Sequence, residues 1–289
     1  MSELIRILSS ALQLSIVYWI VNLGFVYLYR TTGVLNFAQG QMLMVGAFVL
    51  ILVIDKMHLP LAPALLVVLV ASALFGTVIF LLSMRYLRGA NAYAQVIGTF
   101  MLSIVLTQVV GLIWGINSYV LPVPKLGLVR LGGANVPVIA LVSAAVLLVL
   151  IGVTEYLVTN ARWGIAMRAA ASNGALAMYY GIRNIRLGTA AWAAAFVCAT
   201  LGGLVYAENA PIVYGMASVG FVAFPAAVIG GMDSVPGAIL GGCLVAVIQS
   251  VAGFYFGGSL AEAASFVLVI LVLISRPFGL LGKPRSVRL

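Results

Sequence analysis

The sequence predicts an all-α, polytopic integral membrane protein of about eight or nine spanning segments, some of them broken or re-entrant. Of its 289 residues, 64% are hydrophobic and only 7% are charged, whereas soluble domains average roughly 25% charged residues. Apolar windows follow one another along nearly the whole chain. Because no polar stretch between them is long enough to fold separately, we expect residues 1–289 to form a single domain.

Nine apolar windows are candidates for full or partial spans, since a full span takes about 20 residues. They are Ile7–Tyr29, Leu35–Ile54, Leu59–Met84, Tyr93–Ile116, Val136–Thr159, Leu187–Ala207, Val219–Met232, Val235–Phe256 and Ala263–Ser275. Val219–Met232 and Ala263–Ser275 are the short ones, which leaves the number of complete crossings at about eight or nine.

Lysine and arginine predict the orientation, because cytoplasmic loops carry an excess of both. If the N-terminus faces outward and every window crosses, eleven of the 15 basic residues lie on one side and four on the other. The richer side receives the 160–186 loop and the C-terminus, which we therefore expect to be cytoplasmic. The formal net charge of +9 then belongs mostly to inward-facing loops and needs no nucleic-acid partner.

No pattern typical of an enzyme is present, so we predict neither catalytic nor metal-ligating residues. The single histidine, His58, lies in a short loop, and Cys198 and Cys243 lie inside apolar runs where each is expected to pack as a small residue. The six acidic residues fall at or near window ends, whereas ion-coupled carriers usually keep a carboxylate at mid-span. This argues against an ion-coupled secondary transporter of a small solute, although that class and a membrane-embedded scaffold both stay open.

The most unusual stretch, residues 33–41, carries one asparagine, two glutamines and two glycines between two apolar windows. Hydrocarbon cannot hydrogen-bond such groups, so they survive at membrane depth only when they are buried in protein or face a wet cavity. One interpretation is a polar turn that joins two helices. The other is a broken helix that lines a solute path, with Phe37 as a wall and Asn36, Gln39 and Gln41 facing the solute.

Helical spacing supports only part of that candidate path. On a continuous helix Asn36 and Gln39 share one face, whereas Gln41 shares the face of Phe37. All three amides reach one path only if the helix breaks near Gly40.

The 160–186 loop is rich in alanine and arginine, and its alanines favour helix. Ser172-Asn173-Gly174 is a plausible break between two short helices. Two interpretations stay open: an amphipathic helix on anionic headgroups, or a small-residue helix that docks into a cytoplasmic partner.

A second glycine-rich stretch, residues 226–242, predicts a tight turn or another broken element near the membrane, because paired glycines allow close helix approach and proline interrupts a helix. Its candidate structural residues are Gly230, Gly231, Ser234, Pro236 and Gly237. Its place in the second half loosely echoes residues 33–46 in the first, and matching interruptions in two halves are typical of transport sites between repeats.

Together these segments resemble one family over nearly the whole chain: the membrane permease subunits of branched-chain amino acid ABC importers, the LivH type. No single piece is specific, but their order and spacing are. The pieces are Gly33–Gly40 with Asn36-Phe37-Ala38, Gly46-Ala47, Arg162-Trp163-Gly164 to Arg168-Ala169, Gly181-Ile182, Ala226–Gly231, Ser234–Ala238 and Arg276–Gly282.

The resemblance implies a single transmembrane permease domain that forms half of a translocation pathway in a bacterial plasma (inner) membrane, with the N-terminus periplasmic. The implied partners are a second homologous permease subunit, two cytoplasmic ATPase subunits, a periplasmic solute-binding protein and membrane lipid. ATP and Mg²⁺ are then held by the ATPase subunits and no cofactor by this chain, which agrees with its lack of a phosphate-binding loop motif. The resemblance also implies that residues 160–186 form the cytoplasmic coupling loop, which docks on the ATPase. Its ATPase-coupling residues are then Arg162, Gly164, Arg168, Ala169, Gly181 and Arg183.

The chain departs from the family pattern at two places. Gln39 and Gln41 stand where the family usually has a histidine and a glutamate, and Ser172-Asn173 stands where acidic residues are usual. The expected solutes are therefore branched-chain amino acids or a related small polar solute such as an amide, urea or an aromatic acid.

Overall fold

The computed structural model describes residues 2–282, except for residues 34, 88, 122–126, 132–133, most of 138–159, 173, 183 and 209. Most of the predicted Val136–Thr159 window therefore lies outside the described residues, as does the predicted coupling residue Arg183.

Ten α-helices and one β-hairpin make up the described part of the chain. In order they are α1 (Ser2–Thr32), α2 (Gln39–Met57), α3 (Leu61–Ile79, continued by a π-helical turn at Phe80–Met84), α4 (Ala92–Trp114), β1 (Leu128–Leu131), β2 (Ala134–Pro137), α5 (Arg162–Ser172), α6 (Gly174–Tyr179), α7 (Asn184–Ala207), α8 (Ser218–Gly230, preceded by a 3₁₀ turn at Tyr214–Ala217), α9 (Val235–Phe256) and α10 (Gly258–Ser275).

Seven helical segments are long and apolar enough to cross a bilayer, which confirms the predicted polytopic, all-α membrane protein. They are Ile7–Thr32, Gln39–Met57, Leu61–Met84, Ala92–Trp114, Ile185–Ala207, Val235–Phe256 and Gly258–Ser275. Tyr214–Gly230 is an additional, shorter apolar helix. The total number of crossings stays a prediction, because the 138–159 stretch is not described.

A short antiparallel hairpin corrects the predicted start of one window. β1 pairs with β2 in the register Leu128 opposite Pro137, so Val136 and Pro137 belong to a strand rather than to a helix. No strand was predicted here, because four-residue strands are too short to show an alternating pattern.

Helices α1, α2 and α7 form the buried centre, and the outer helices present apolar side chains outward. The best apolar window of α1 is 78% buried and that of α7 is 61% buried, whereas that of α10 is only 11% buried. Apolar outward faces suit lipid, which is no more polar than the side chains it covers. The functional residues are therefore to be sought around the three central helices.

Glycines bring the central helices into close contact. A Cβ added at Gly202 of α7 would press on Val21 of α1, one at Gly203 would press on the Leu43 carbonyl of α2, and one at Gly76 of α3 would overlap the α7 backbone. Such small-residue contacts are the usual way for membrane helices to pack, because burial against lipid supplies no hydrophobic driving force.

Helices α1 and α7 run antiparallel, and each is followed by a segment that returns into the protein. After α1 ends, the chain turns back along it, so that α2 begins at Gln39 beside Gly24 of α1, where a Cβ on Gly24 would overlap the Gln39 side chain. After α7, residues 208–217 return so that α8 begins beside α2, and a Cβ on Gly220 would overlap the backbone of Gly40. The two units therefore have opposite senses, an arrangement found in transporters built from inverted repeats.

The structure corrects the sequence-based match between residues 226–242 and residues 33–46. The counterpart of residues 33–38 is the 208–217 segment, and the glycine-rich 226–242 stretch is instead the tight turn between α8 and α9. Within this returning segment, the backbone of Ile212 is paired in an antiparallel bridge, in which Tyr119 and Ile212 exchange N–H···O bonds of 3.0 and 2.8 Å.

We expect Gly220→Val to destabilise the protein, because its side chain would separate the starts of α2 and α8. Overpacking of this kind costs about 1–3 kcal/mol, so the purified protein should melt at a lower temperature and give less folded material. Gly215→Ala is the matched control, since a Cβ there meets nothing within 4 Å. Equal melting temperatures for the two variants would show that the α2–α8 contact is not tight.

Candidate functional site

The break between α1 and α2 is closed by local hydrogen bonds. Gly33 ends α1 with φ of 75° and donates its N–H to the Tyr29 carbonyl at 2.8 Å. The Asn36 side-chain oxygen then accepts the N–H of Ala38 at 3.1 Å, which is the asparagine turn typical of loop–helix junctions. Helix α2 begins at Gln39, so the break falls just before Gly40, and Gln39 and Gln41 lie on the same continuous helix.

A threonine from α4 contacts two more backbone groups of the break. The Thr99 hydroxyl lies 3.3 Å from the N–H of Phe37 and 3.3 Å from the carbonyl of Leu35. Sequence analysis did not single out Thr99, because one threonine inside an apolar window has no distinguishing pattern. The break is thereby attached to α4 as well as to α1 and α2.

Gln39 is fully buried and binds helices to one another. Its side-chain amide donates to the carbonyl of Ala195 at 3.2 Å and points to that of Val21 at 3.5 Å, while its oxygen accepts from the Asn36 amide at 3.1 Å. Gly24 leaves the space that the Gln39 amide fills, since a Cβ there would overlap it. This geometry favours the interpretation in which Gln39 joins helices.

Gln41 has a different environment. It is 5% exposed, and its side-chain oxygen has no hydrogen-bond partner within the described residues. A buried amide oxygen without a partner is costly unless a water or a ligand binds it. Gln41 therefore remains a candidate for the solute path, although it does not line the cavities described next.

Asn36 and Phe37 line a small internal pocket of about 10 Å³ beside α8. The Phe37 ring packs on Phe224 at a centroid distance of 5.6 Å, and Phe224 packs in turn on Phe25 at 5.9 Å. Asn36 also borders a second small pocket, of about 30 Å³, towards α3 and α4. Of the four predicted path residues, the structure thus brings Asn36 and Phe37 to a pocket and places Gln39 in a helix contact.

A much larger cavity, of about 440 Å³, lies on the other side of α8 between α1, α9 and α10. Ser218, Val219 and Val222 of α8 face the large cavity, while Gly220, Phe221 and Phe224 face the small pocket. At about 100° per residue these two sets lie on opposite faces of one helix. Helix α8 is therefore the wall between the large cavity and the Asn36–Phe37 pocket.

The sequence did not reveal the polar residues of the large cavity. Gln249 and Ser250 lie in the apolar run of α9, and Tyr18 lies in that of α1. Tyr18 donates its hydroxyl proton to the side-chain oxygen of Gln249. The available signal was the adjacent Gln-Ser pair inside a predicted span, since polar residues there usually face the bundle interior.

The predicted coupling loop forms two short helices, α5 and α6, which confirms the predicted break at 172–174. Arg162 and Arg168 are exposed, Ala169 is partly buried and Gly164 is buried. Gly181 turns the chain after α6 with φ of 77°. Leu176, Tyr179 and Tyr180 are exposed together with Ile165 of α5, so this surface carries apolar and aromatic groups as well as arginines.

The glycine-rich turn between α8 and α9 (residues 226–242, called the glycine hairpin) lies beside the C-terminal end of α1 and beside residues 276–282. The carbonyl of Asp233 accepts from the Arg30 guanidinium at 2.7 Å, and Ser234 caps α9 by accepting the Gly237 N–H at 3.1 Å. The N–H of Leu280 bonds the Ile229 carbonyl at 2.7 Å, which satisfies a carbonyl at the end of α8. Gly230 and Gly237 pack backbone to backbone, with no room for a Cβ on either, and Pro236 occupies the first turn of α9.

One carboxyl group beyond the helix ends is electrostatically perturbed. Partial burial raises the pKa of Glu208 to about 7, because desolvation disfavours the ionised form. Glu208 lies at the start of the 208–217 segment and not in the large cavity. We assign it no part in the site.

Residues 7–275 match the family described as "Branched-chain amino acid transport system / permease component". The chain belongs to this family. The match spans all the candidate residues discussed above and confirms the resemblance found in the sequence. The permease is accordingly a membrane transport component, which agrees with its helices of membrane-spanning length.

Three relatives align with the permease over nearly its whole length. The high-affinity branched-chain amino acid transport system permease protein BraD of Pseudomonas aeruginosa is 29% identical, with 96% of this chain and 95% of BraD covered. LivH of Escherichia coli is 28% identical, with 92% of each chain covered. A probable LivH of Methanocaldococcus jannaschii is 25% identical, with 96% of this chain and 92% of the relative covered.

One solved structure, PsaBC from Streptococcus pneumoniae in complex with Fab, aligns over 98% of this chain and 94% of its own with 12% identity. Its TM-score is 0.48, which is too low for the likeness to support any conclusion about the permease.

We expect Gln39→Leu to lower the folded yield and the melting temperature. The substitution removes the bonds to Ala195 and Asn36, and each buried polar group left without a partner costs about 1–3 kcal/mol. Gln41→Leu is the matched control two residues along the same helix, because the Gln41 side-chain oxygen makes no hydrogen bond within the described part of the chain. The measurements are thermal melting in detergent and the monodisperse yield.

Gln39→Leu and Gln39→His, each assayed for both yield and uptake, also decide the solute-path hypothesis. Normal yield with lowered uptake or altered solute preference would contradict the helix-joining interpretation and place Gln39 in the path. Normal yield with unchanged uptake and unchanged preference in both variants would remove Gln39 from the path.

Proposed function

We propose that this chain is the transmembrane permease subunit of an ATP-driven ABC importer and forms half of the path for a branched-chain amino acid or a related small polar solute. The observation that carries the proposal is the family match over residues 7–275, supported by relatives described as high-affinity branched-chain amino acid permeases. The chain itself performs no chemistry in this proposal. Two ATPase subunits bind and hydrolyse ATP with Mg²⁺, and a second permease completes the path.

The proposed setting is a bacterial plasma membrane with the 160–186 loop and the C-terminus on the cytoplasmic side. In this orientation the large cavity lies on the periplasmic side, because Ile7, Ser10 and Leu14 line it in the N-terminal half of α1, whereas Arg30 lies at the other end of the helix. A periplasmic solute-binding protein would then release solute into the mouth of this cavity.

Helix α8 is the element best placed to alternate access. It separates the large cavity from the Asn36–Phe37 pocket, and it contacts α2 through glycines that present no side chain to obstruct sliding. Pro225 lies inside α8 and has no N–H for the Phe221 carbonyl, so the helix can bend there. We propose that ATP-driven movement of α8 connects the two sides in turn.

The decisive experiment reconstitutes the chain in vesicles with a partner permease, the two ATPase subunits and a binding protein encoded beside it. ATP-dependent uptake of labelled leucine, valine or isoleucine is the expected result, with no uptake when the ATPase subunits carry an inactivating change in the phosphate-binding loop. Uptake by the chain alone under a proton or sodium gradient would instead establish the ion-coupled carrier. Absence of transport with every partner would contradict both.

We expect Tyr179→Ala combined with Tyr180→Ala to weaken ATPase co-purification about tenfold or more, because exposed tyrosines are frequent contributors to interface affinity. Their side chains are 89% and 82% exposed, so the chain should fold normally. Tyr93→Ala is the matched control, since Tyr93 is 81% exposed but lies on α4. These tyrosines test docking more cleanly than Ala169, whose enlargement would also disturb the packing of α5.

Unchanged ATPase retention in the double variant, together with weaker binding to anionic vesicles, would contradict the docking surface. Residues 160–186 would then lie on the membrane headgroups.

A further inference from the structure

The C-terminal end of α8 is held by a segment that follows α10. In this segment, residues 276–282, which we call the C-terminal strap, the N–H groups of Leu280 and Leu281 bond the carbonyls of Ile229 and Gly230 at 2.7 and 3.1 Å. The last four carbonyls of a helix have no partner within it, and both Ile229 and Gly230 are buried. The strap therefore supplies hydrogen bonds that these buried carbonyls need.

Glycines allow the strap to lie directly on the backbone of α8. A Cβ on Gly279 would lie 2.6 Å from the Val228 carbonyl oxygen, and one on Gly231 would lie 2.5 Å from the Gly282 nitrogen. Gly279 and Gly231 have φ of 79° and 103°, a conformation that residues with a Cβ rarely adopt. The contact between the strap and α8 is thus made through backbone atoms and leaves no room for larger residues.

Helix α9 packs equally closely on the last five residues of α8, 226–230. A Cβ on Gly241 of α9 would overlap the Ala226 carbonyl, and one on Gly237 would overlap the Gly230 carbonyl. Residues 226–230 are therefore held by two separate elements, α9 and the strap.

The half of α8 before Pro225 has different neighbours. Val219 and Val222 border the large cavity. Pro225 lies inside the helix and has no N–H for the Phe221 carbonyl, so one backbone hydrogen bond is missing where the two halves join. Helices bend most readily at such positions.

We propose that α8 is hinged at Pro225. Residues 226–230 stay fixed against α9 and the strap, while residues 218–224 move between the large cavity and the Asn36–Phe37 pocket. The inference deepens the proposed importer function and rests on it, because it assigns the movement of α8 to one half of the helix. The strap then has a positioning role, since it holds α8 and does not contact the solute.

The first test compares two cysteines on one face of α8, one in each half. Ala223 and Ala227 are both 0% exposed and lie four residues apart, so Ala223→Cys and Ala227→Cys form a matched pair. Each is placed in the purified full chain with Cys198→Ala and Cys243→Ala, and its reaction with methyl methanethiosulfonate is timed. We expect Ala223→Cys to react about tenfold faster or more, because local opening exposes the moving half. Equal rates, or faster reaction of Ala227→Cys, would overturn the hinge.

The second test releases the strap. Leu280→Pro removes the N–H that bonds the Ile229 carbonyl, whereas Leu280→Ala shortens the side chain, keeps the N–H and is the matched control. We expect Leu280→Pro to speed the labelling of Ala227→Cys about tenfold or more and Leu280→Ala to leave it unchanged. An unchanged rate in Leu280→Pro would overturn the role of the strap.

A truncated pair serves if Leu280→Pro folds poorly. A chain that ends at Phe278 lacks both strap bonds, and a chain that ends at Gly282 keeps them and is its control. The comparison between Ala223→Cys and Ala227→Cys changes nothing in the strap, so it decides the hinge even if every strap variant folds poorly.

The third test connects the hinge with transport. Pro225→Ala supplies an N–H for the Phe221 carbonyl, so it should slow both the labelling of Ala223→Cys and ATP-driven uptake by about tenfold or more. Unchanged labelling would overturn the hinge. Slower labelling with unchanged uptake would show that this movement is not the transport step.

The labelling tests need neither ATP nor partner subunits, so their outcome separates from that of the importer proposal. Faster labelling in the first half of α8 without ATP-driven uptake would keep the hinge and refute the importer. ATP-driven uptake with equal labelling of the two halves would refute the hinge and keep the importer.

Discussion

Each polar group at membrane depth needs a hydrogen-bond partner in the protein, in a water or in a bound solute, because hydrocarbon supplies none. Three side chains supply such partners at the break between α1 and α2. Asn36 accepts the N–H of Ala38, and the Thr99 hydroxyl accepts the N–H of Phe37. The Gln39 amide, at the start of α2, donates to the Ala195 carbonyl of α7 and points to the Val21 carbonyl of α1. A helix can begin inside the bundle only because these bonds are made. The position of α2, and through it that of α8, follows from them.

Glycines allow helix α2 to pack closely against α1 and α8. Gly24 leaves room for the Gln39 amide, and Gly40 faces Gly220 without intervening side chains. The result is two returning segments of opposite sense whose helices begin side by side. Gly40 and Gly220 meet without interlocked side chains, so α8 contacts the start of α2 through its backbone. The opposite face of α8 borders the large cavity.

The two faces of α8 therefore border different environments along the proposed transport path. The cavity side of α8 is roomy and carries hydroxyl, amide and carboxylate groups, whereas the opposite side is closed by the Phe25–Phe224–Phe37 contacts. A solute in the cavity would therefore meet α8 as a barrier backed by aromatic rings.

Composition and hydropathy determined the class of protein, since a chain with 7% charged residues cannot cover itself against water. The positions of glycine, proline and asparagine likewise predicted the break near residue 36, the paired short helices of the 160–186 loop and the turn near residue 233. These are local consequences of which residues tolerate or interrupt helices.

Only the tertiary structure decided which polar residues face one another. Helical spacing favoured Gln39 over Gln41 as a path residue, yet Gln39 is bonded to two helices. The side-chain oxygen of Gln41 instead has no hydrogen-bond partner among the described residues. Tyr18 and Gln249 are separated by 231 positions and become neighbours because α1 and α9 pack together. Spacing along one helix determines which side chains share a face, but the neighbouring helix determines whether that face meets a carbonyl, a ring or a cavity.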